Sequence, residues 1–174
     1  AIAGRVSRVV AMGGAFRTPG NVTEAAEANI WQDPHAAARV LEAPWPVEMV
    51  GLDVTEQVHL RAGDLDPVAA RHPRAGGLLA DAAEAYFAFH RRSVGLDGCH
   101  LHDPAAVIRA TDPALFETVE AAVAVTLEGE AAGRTRELEA GASGAVRPVT
   151  LCLRAEAAAV RARFLETLTR GPLP

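Results

Sequence analysis

The sequence contains no lysine: every one of its 17 basic residues is an arginine. That absence excludes Schiff-base catalysis, pyridoxal phosphate attachment and a Walker-type phosphate loop, each of which needs a lysine amine. Cysteine is nearly absent as well. Cys99 and Cys152 lie far apart with no C-x-x-C spacing, so two reduced, structural thiols in a cytoplasmic setting are expected. Nothing approaches the ~18 uninterrupted apolar residues of a membrane span, and no membrane partner is expected. Positive charge is in deficit, with a net charge of −5, whereas a nucleic-acid-binding surface is usually basic. The opening AIAGRVSRVV has no charged stretch followed by an apolar run and cleavage site, and it does not begin with Met. A secretion signal is therefore unsupported, and a trimmed or incomplete chain is suggested.

What is present reads as one globular domain. The chain has 174 residues, 49% of them hydrophobic and 22% charged, within the range of single folded domains. Residues 5–12, RVSRVVAM, are short, β-branched and closed by Gly13-Gly14, which predicts a buried strand. Residues 46–52, PVEMVGL, repeat that pattern and run into Asp53-Val54-Thr55. Between them Asp33-Pro34 opens a helix, PHAAARVLEA, whose apolar positions suit a face laid on a sheet. Strand, helix and strand at this spacing predict a right-handed crossover in a parallel sheet.

Farther on, residues 64–72 and 75–94 look helical, and another helix is expected to begin at Pro104 after Asp103. Segments 117–130 and 133–140 suit an antiparallel pair. The tail 147–153 resembles a last strand, followed by a helix through 155–169. The expected class is α/β, a Rossmann-like, mostly parallel sheet with flanking helices and a small antiparallel hairpin. A parallel sheet that begins at residue 5 has few strands of its own, so an N-terminal part is expected to be missing. Strand 5–12 is apolar enough to be central, paired with a strand from outside residues 1–174.

Two constellations carry polar chemistry. The segment from Met12 to Pro34, MGGAFRTPGNVTEAAEANIWQDP, follows the first strand at its C-terminal end, where open parallel sheets bind ligands. Its glycines let a ligand approach the backbone, or simply turn the chain. Asn21, Glu27 and Asn29 supply both donors and acceptors, as sugar hydroxyls require. The second is His102-Asp103, in SVGLDGCHLHDP. Asp-Pro occurs four times, at 33–34, 66–67, 103–104 and 112–113, so Asp103 also fits a plain helix cap. Tyr86, Phe87, His90 and Arg91 fit core and solvent-facing positions of the long helix. Trp31, Trp45, His35, His59 and His72 have no spacing that points to chemistry.

Taken together and in this order, MGGAFRTPGNVTEAAEAN, LDVTEQ at 52–57 and DGCHLHDPAAV at 97–107 resemble the nucleoside hydrolases, calcium-dependent enzymes that cut the N-glycosidic bond of nucleosides. The resemblance spans nearly all 174 residues. The family's aspartate cluster of the form D-x-D-x-G-x-D-D occurs nowhere, so residues 1–174 resemble the C-terminal portion of a single nucleoside hydrolase domain. It implies that Asn21 and Glu27 hold the ribose 5′-hydroxyl, that Asn29 reaches the 2′/3′ side and that Met12 packs under the sugar. It implies that His102 protonates the departing base and that Asp103 is one ligand of a Ca²⁺ ion. Because Ca²⁺ takes ~6–8 oxygens, its other ligands would lie in the absent segment.

The LDVT step, with Asp53, is by the same resemblance a structural part of the pocket floor. Residues 86–91 fall in a region that closes over the base in relatives. Two departures stand out: Ala28 replaces an aromatic common between the Glu and Asn, and His100 replaces a common proline. The implied partners are a ribonucleoside and, as a homodimer or homotetramer, further copies of the protein, completed by an N-terminal fragment. A non-catalytic remnant, structural or weakly sugar-binding, is the rival reading. A nucleotide-binding regulator is disfavoured by the lack of lysine and of G-x-G-x-x-G.

Overall fold

A computed structural model describes residues 2–139 and 147–170. After a 3-10 turn at Ile2–Arg5, the chain runs through β1 (Val9–Met12), α1 (Ala28–Gln32), α2 (Pro34–Glu42) and β2 (Val47–Val50). Next come α3 (Leu52–Thr55), β3 (His59–Leu60), α4 (Asp66–Arg71), α5 (Pro73–Val94), β4 (Cys99–His100) and α6 (His102–Thr111). The last elements are β5 (Phe116–Val125), β6 (Thr135–Glu137), β7 (Pro148–Ala155) and α7 (Ala157–Arg170).

The main sheet has the order β1-β2-β7-β5-β6. β1, β2 and β7 run parallel, with Val9 opposite Val47 and Glu48 opposite Thr150. β5 joins β7 antiparallel, and β6 folds back on β5 as the expected hairpin. Residue 140, the end of that predicted hairpin arm, lies outside the described residues. β3 and β4 form a separate two-stranded ribbon. The fold is thus α/β, with a mixed, mostly parallel sheet and flanking helices, as expected.

β2 is buried along its whole length because neighbours cover both edges, whereas β1 is only half-buried. Among the described residues β1 pairs with β2 alone. The predicted strand 5–12 is accordingly shorter, Val9–Met12, and lies at the sheet edge of this chain. Its predecessor Arg8 is drawn sideways onto Glu48 and the Ala110 carbonyl.

The second predicted strand, 46–52, shortens to Val47–Val50. Beyond it Gly51 passes 2.6 Å from the Gly14 carbonyl oxygen, measured from where a Cβ would stand. The Leu52 amide donates to that carbonyl at 2.8 Å. This crossing turns LDVT into the one-turn helix α3 instead of extended chain. α2 begins as read, Asp33 Oδ1 accepting from the Ala36 amide at 2.9 Å with Pro34 in the first turn.

The core divides across the sheet. On one side Val50, Val54, Leu101, Ala105, Ile108, Cys152 and Val160 pack together beneath α6 and α7. On the other, Ile30, Leu41, Val47, Met49, Val149 and Leu151 pack beneath α1 and α2.

Candidate active site

Glycine spacing and one buried carboxylate shape the loop after β1. Gly20 turns so tightly that a Cβ there would stand 2.2 Å from the Ala26 carbonyl oxygen, a separation no side chain tolerates. Thr23 Oγ1 closes the same turn by accepting from the amides of Ala25 and Ala26. Glu27 then caps α1 and is only 2% exposed. Its carboxylate accepts from the amides of Asn29 (2.9 Å), Ile30 (3.1 Å) and Gly14 (3.1 Å). One side chain therefore ties the glycine pair at the end of β1 to the start of α1. An ionised carboxylate has about four acceptor positions, so Glu27 is foremost a clasp, with one position left for a ligand hydroxyl.

Asn21 and Asn29 are held open by that clasp. Asn21 Oδ1 accepts from the Ala28 amide at 2.9 Å. Asn29 Nδ2 donates to the Met12 carbonyl at 3.3 Å and lies 3.2 Å from Met12 Sδ. Both asparagines are exposed, which leaves the Asn21 amide NH₂ and the Asn29 carbonyl facing outward. The structure thus brings Met12, Asn21, Glu27 and Asn29 to one place at the C-terminal end of β1. The exposed Ala28 stands between them, where it offers a ligand no apolar face.

His102 and Asp103 reach the same end of the sheet through the direction of α6. At the far end of α6 the Ala110 carbonyl accepts from Arg8, just before β1, and Arg109 Nε binds Glu48 at the start of β2 at 2.6 Å. The helix therefore runs antiparallel to β1 and β2, and its first turn rises toward Met12 and Val50. His102 is fixed by Thr55 of α3, whose Oγ1 lies 2.8 Å from His102 Nδ1. Sequence reading missed this contact, since the partners are 47 residues apart and Thr55 sits in a segment read as floor.

Asp103 does not cap the helix. α6 starts two residues earlier than predicted, with Leu101 at its cap and no side-chain cap bond, so the carboxylate stays exposed in the first turn, where the helix dipole favours negative charge. It also borders a largely apolar groove of about 580 Å³ between α6 and α7, lined by Val107, Ile108, Phe164 and Leu168.

Around His102 the rings crowd. His59 and His100 lie 4.8 Å apart, His100 and His102 5.6 Å, and His90 and His100 5.9 Å, between ring centres. Tyr86 meets His90 edge-on at 4.3 Å. Burial, and then the neighbouring His59, His102 and His90 rings, push the His100 imidazole down to about 4. Burial also lowers His102, with His90 adding to it and Asp103 opposing. Nδ1 of His100 is buried without a hydrogen-bond partner among the described residues. Apart from His102, and residues 86–91 through the resemblance, this array was not singled out, because it draws on β3, β4, α5 and α6 at once.

Asp53, left out of the site by sequence reading, binds the amides of Phe16 at 2.9 Å and Arg17 at 2.7 Å, fixing the loop from below. As donor chemistry, Asp103 suits a hard cation. Among the described residues, no three His, Cys, Asp or Glu side chains are grouped to hold a metal ion. A hard cation at Asp103 would thus find one carboxylate ligand among the described residues.

Residues 1–162 match the family described as "Inosine-uridine preferring nucleoside hydrolase". A "Probable uridine nucleosidase 2" of Arabidopsis thaliana is 36% identical over 130 residues, 75% of this chain and 40% of that protein. A "Pyrimidine-specific ribonucleoside hydrolase RihA" of Citrobacter koseri is 37% identical over 127 residues, again 40% of its length. Among solved structures, a plant nucleoside hydrolase superposes with a TM-score of 0.90 at 31% identity, over 97% of this chain and 55% of that one. A purine-preferring ribonucleoside hydrolase from Gardnerella vaginalis gives 0.86 at 34% identity, over 93% of this chain and 52% of its own. The chain spans about two fifths of the curated relatives it matches and about half of these structures.

Proposed function

The chain belongs to the inosine-uridine preferring nucleoside hydrolase family, and from that premise we propose that it supplies the ribose clamp and the leaving-group acid of a ribonucleoside hydrolase. The reaction splits the N-glycosidic bond to give ribose and a free base. The observation that carries this reading is the clasp of Glu27, Asn29 and Met12 at the same sheet end as His102. Relatives of similar identity are named for uridine, pyrimidine and purine substrates. The chemistry common to them is the ribosyl group, and that is what two exposed amides and a methionine suit.

In the mechanism, Asn21 and Asn29 bind and orient the sugar hydroxyls, and Glu27 holds their loop rigid while offering its remaining acceptor position. Met12 packs below the ring. His102, bearing a proton, meets the nitrogen or oxygen of the base that gains electron density as the bond breaks, the usual task of a general acid. Asp103 would contribute one oxygen to calcium, which when bound supplies chelation of the ribose diol and of a water. The residue that takes the proton of that water is not in this sequence, which is why completion by an N-terminal segment is part of the proposal. So are a cytoplasmic setting and assembly as a homodimer or homotetramer. The second reading is a sugar-binding but inactive module, and Ala28 beside the clamp is the observation that favours it.

Release of base and reducing sugar from inosine, uridine and cytidine, with calcium present, tests the proposal. The 174-residue chain is expected to be silent. The same chain joined to an N-terminal segment bearing the aspartate cluster is expected to turn over, and to lose that turnover in His102→Ala and Asn29→Ala. A joined protein that hydrolyses nucleosides equally well with both substitutions would remove these residues from the mechanism. Turnover by the chain alone would place the base within it.

A further inference from the structure

Among the described residues His102 has one hydrogen-bond partner, and that partner is itself sealed. Thr55 is 0% exposed, and its Oγ1 lies 2.8 Å from His102 Nδ1. Among the described residues, that imidazole nitrogen is the partner recorded for the hydroxyl. A hydroxyl has one proton to give, and leaving it unmade in a buried place costs about 1–3 kcal/mol. The imidazole nitrogen can accept only if the ring carries its own proton on the opposite nitrogen. Both requirements are met by a single arrangement.

We propose that Thr55 is a positioning residue: its hydroxyl donates to Nδ1, locks neutral His102 as the Nε2–H tautomer and turns that N–H toward the base of a bound nucleoside. The inference rests on the ribonucleoside hydrolase reading for the identity of the acceptor, but the tautomer is a property of the chain by itself. α3 and α6 are thereby joined at the site by one bond. α3 is held in turn by Gly51 against the Gly14 carbonyl, and the Leu52 amide donates to that same carbonyl. The loop that carries the ribose clamp and the ring that faces the base thus share a mounting through Gly14. To act as the acid the ring takes a second proton, on Nδ1. The Thr55 hydroxyl then rotates to accept from Nδ1–H, so Nε2–H faces the base in both states and its transfer leaves a neutral ring already aimed.

The experiment is long-range ¹H–¹⁵N correlation spectroscopy of the histidine rings in the labelled 174-residue chain, with Thr55→Val and Thr55→Ser beside it. The expected result is an Nε2–H tautomer for His102 in the parent and in Thr55→Ser, and a mixture in Thr55→Val. An Nδ1–H tautomer in the parent, which needs no variant to fold, overturns the proposal, as does an unchanged tautomer in a folded Thr55→Val.

In the chain completed with an N-terminal segment, Thr55→Val should lower kcat/KM for nucleosides by roughly tenfold to a hundredfold. Hydrolysis of a nitrophenyl riboside, whose leaving group needs no assistance, should be unchanged. Equal losses on both substrates would make Thr55 merely structural. If the completed protein cleaves no riboside at all, the functional reading fails while the tautomer result stands, so the two failures are distinguishable.

Discussion

At the scale of single residues, the most consequential side chains here are buried and charged. Glu48 and Arg109 are each less than 10% exposed and pair at 2.6 Å, with Arg8 on the second carboxylate oxygen. Arg109 also donates to the Pro113 carbonyl at 2.7 Å. Removing one member of such a set strands the other in a medium that solvates it poorly. Arg109→Ala is therefore expected to destabilise the chain by about 3–5 kcal/mol in urea unfolding. A cost below about 1 kcal/mol, typical of exposed pairs, would show that α6 is not anchored through this bond.

His100 gives the pH dependence. Its folded value of about 4 lies below the ordinary 6.5, so the folded state holds the neutral ring more readily than the unfolded state does. The stability linked to this is fully present above pH 6.5 and is lost as pH falls toward 4. In His100→Phe, which keeps a ring and removes the buried Nδ1, thermal melts should show a shallower loss between pH 6.5 and 4. An identical pH profile would exclude His100 as the cause.

At the scale of elements, the sequence made some parts legible and hid others for definable reasons. β2, α2, the β5–β6 hairpin, β7 and α7 follow from apolar periodicity bounded by Gly, Pro and Asp-Pro, all of them local signals. α3 was not legible, because LDVT coils only where Gly51 crosses Gly14, a contact between chain segments 37 residues apart. The start of α6 was misread by local rules for a related reason: His102 is pulled into the helix by Thr55, so Asp103 loses the cap position that Asp33 keeps. Of the site, the residues on the 12–29 loop and at 102–103 were legible as motifs. That Glu27 spends its oxygens on three amides was not, since two of those donors are its own helix and the third belongs to β1's end.

The loop makes a prediction at this scale. Gly20→Ala must move the Ala26 carbonyl, and so splay the turn that holds Asn21 and Glu27. Backbone resonances of residues 20–29 should shift together, with a stability loss of about 1–3 kcal/mol. Shifts confined to residues 19–21 would mean that the turn absorbs the methyl locally and that Glu27 is not tensioned by it.

At the scale of the molecule, β1 has one strand neighbour among the described residues, and an apolar groove lies between α6 and α7 in which Val107 is 65% exposed. An apolar strand edge and an apolar face are both costly in water. The chain alone is expected to self-associate in size-exclusion chromatography with light scattering, and to become a defined species when supplied with an N-terminal segment. A stable monomer of 18.2 kDa with a cooperative melt would show instead that the chain covers its own sheet.

The central claim is that one end of this sheet holds ribose between the 12–29 loop and the first turn of α6. Titration of the isotopically labelled chain with uridine and with free uracil, followed by amide and side-chain shifts, tests it directly. The account predicts that uridine, and not uracil, moves the side-chain amides of Asn21 and Asn29 and the methyl of Met12, with His102 responding in the same titration. Shifts gathered in the groove between α6 and α7, or an equal response to uracil, would contradict it.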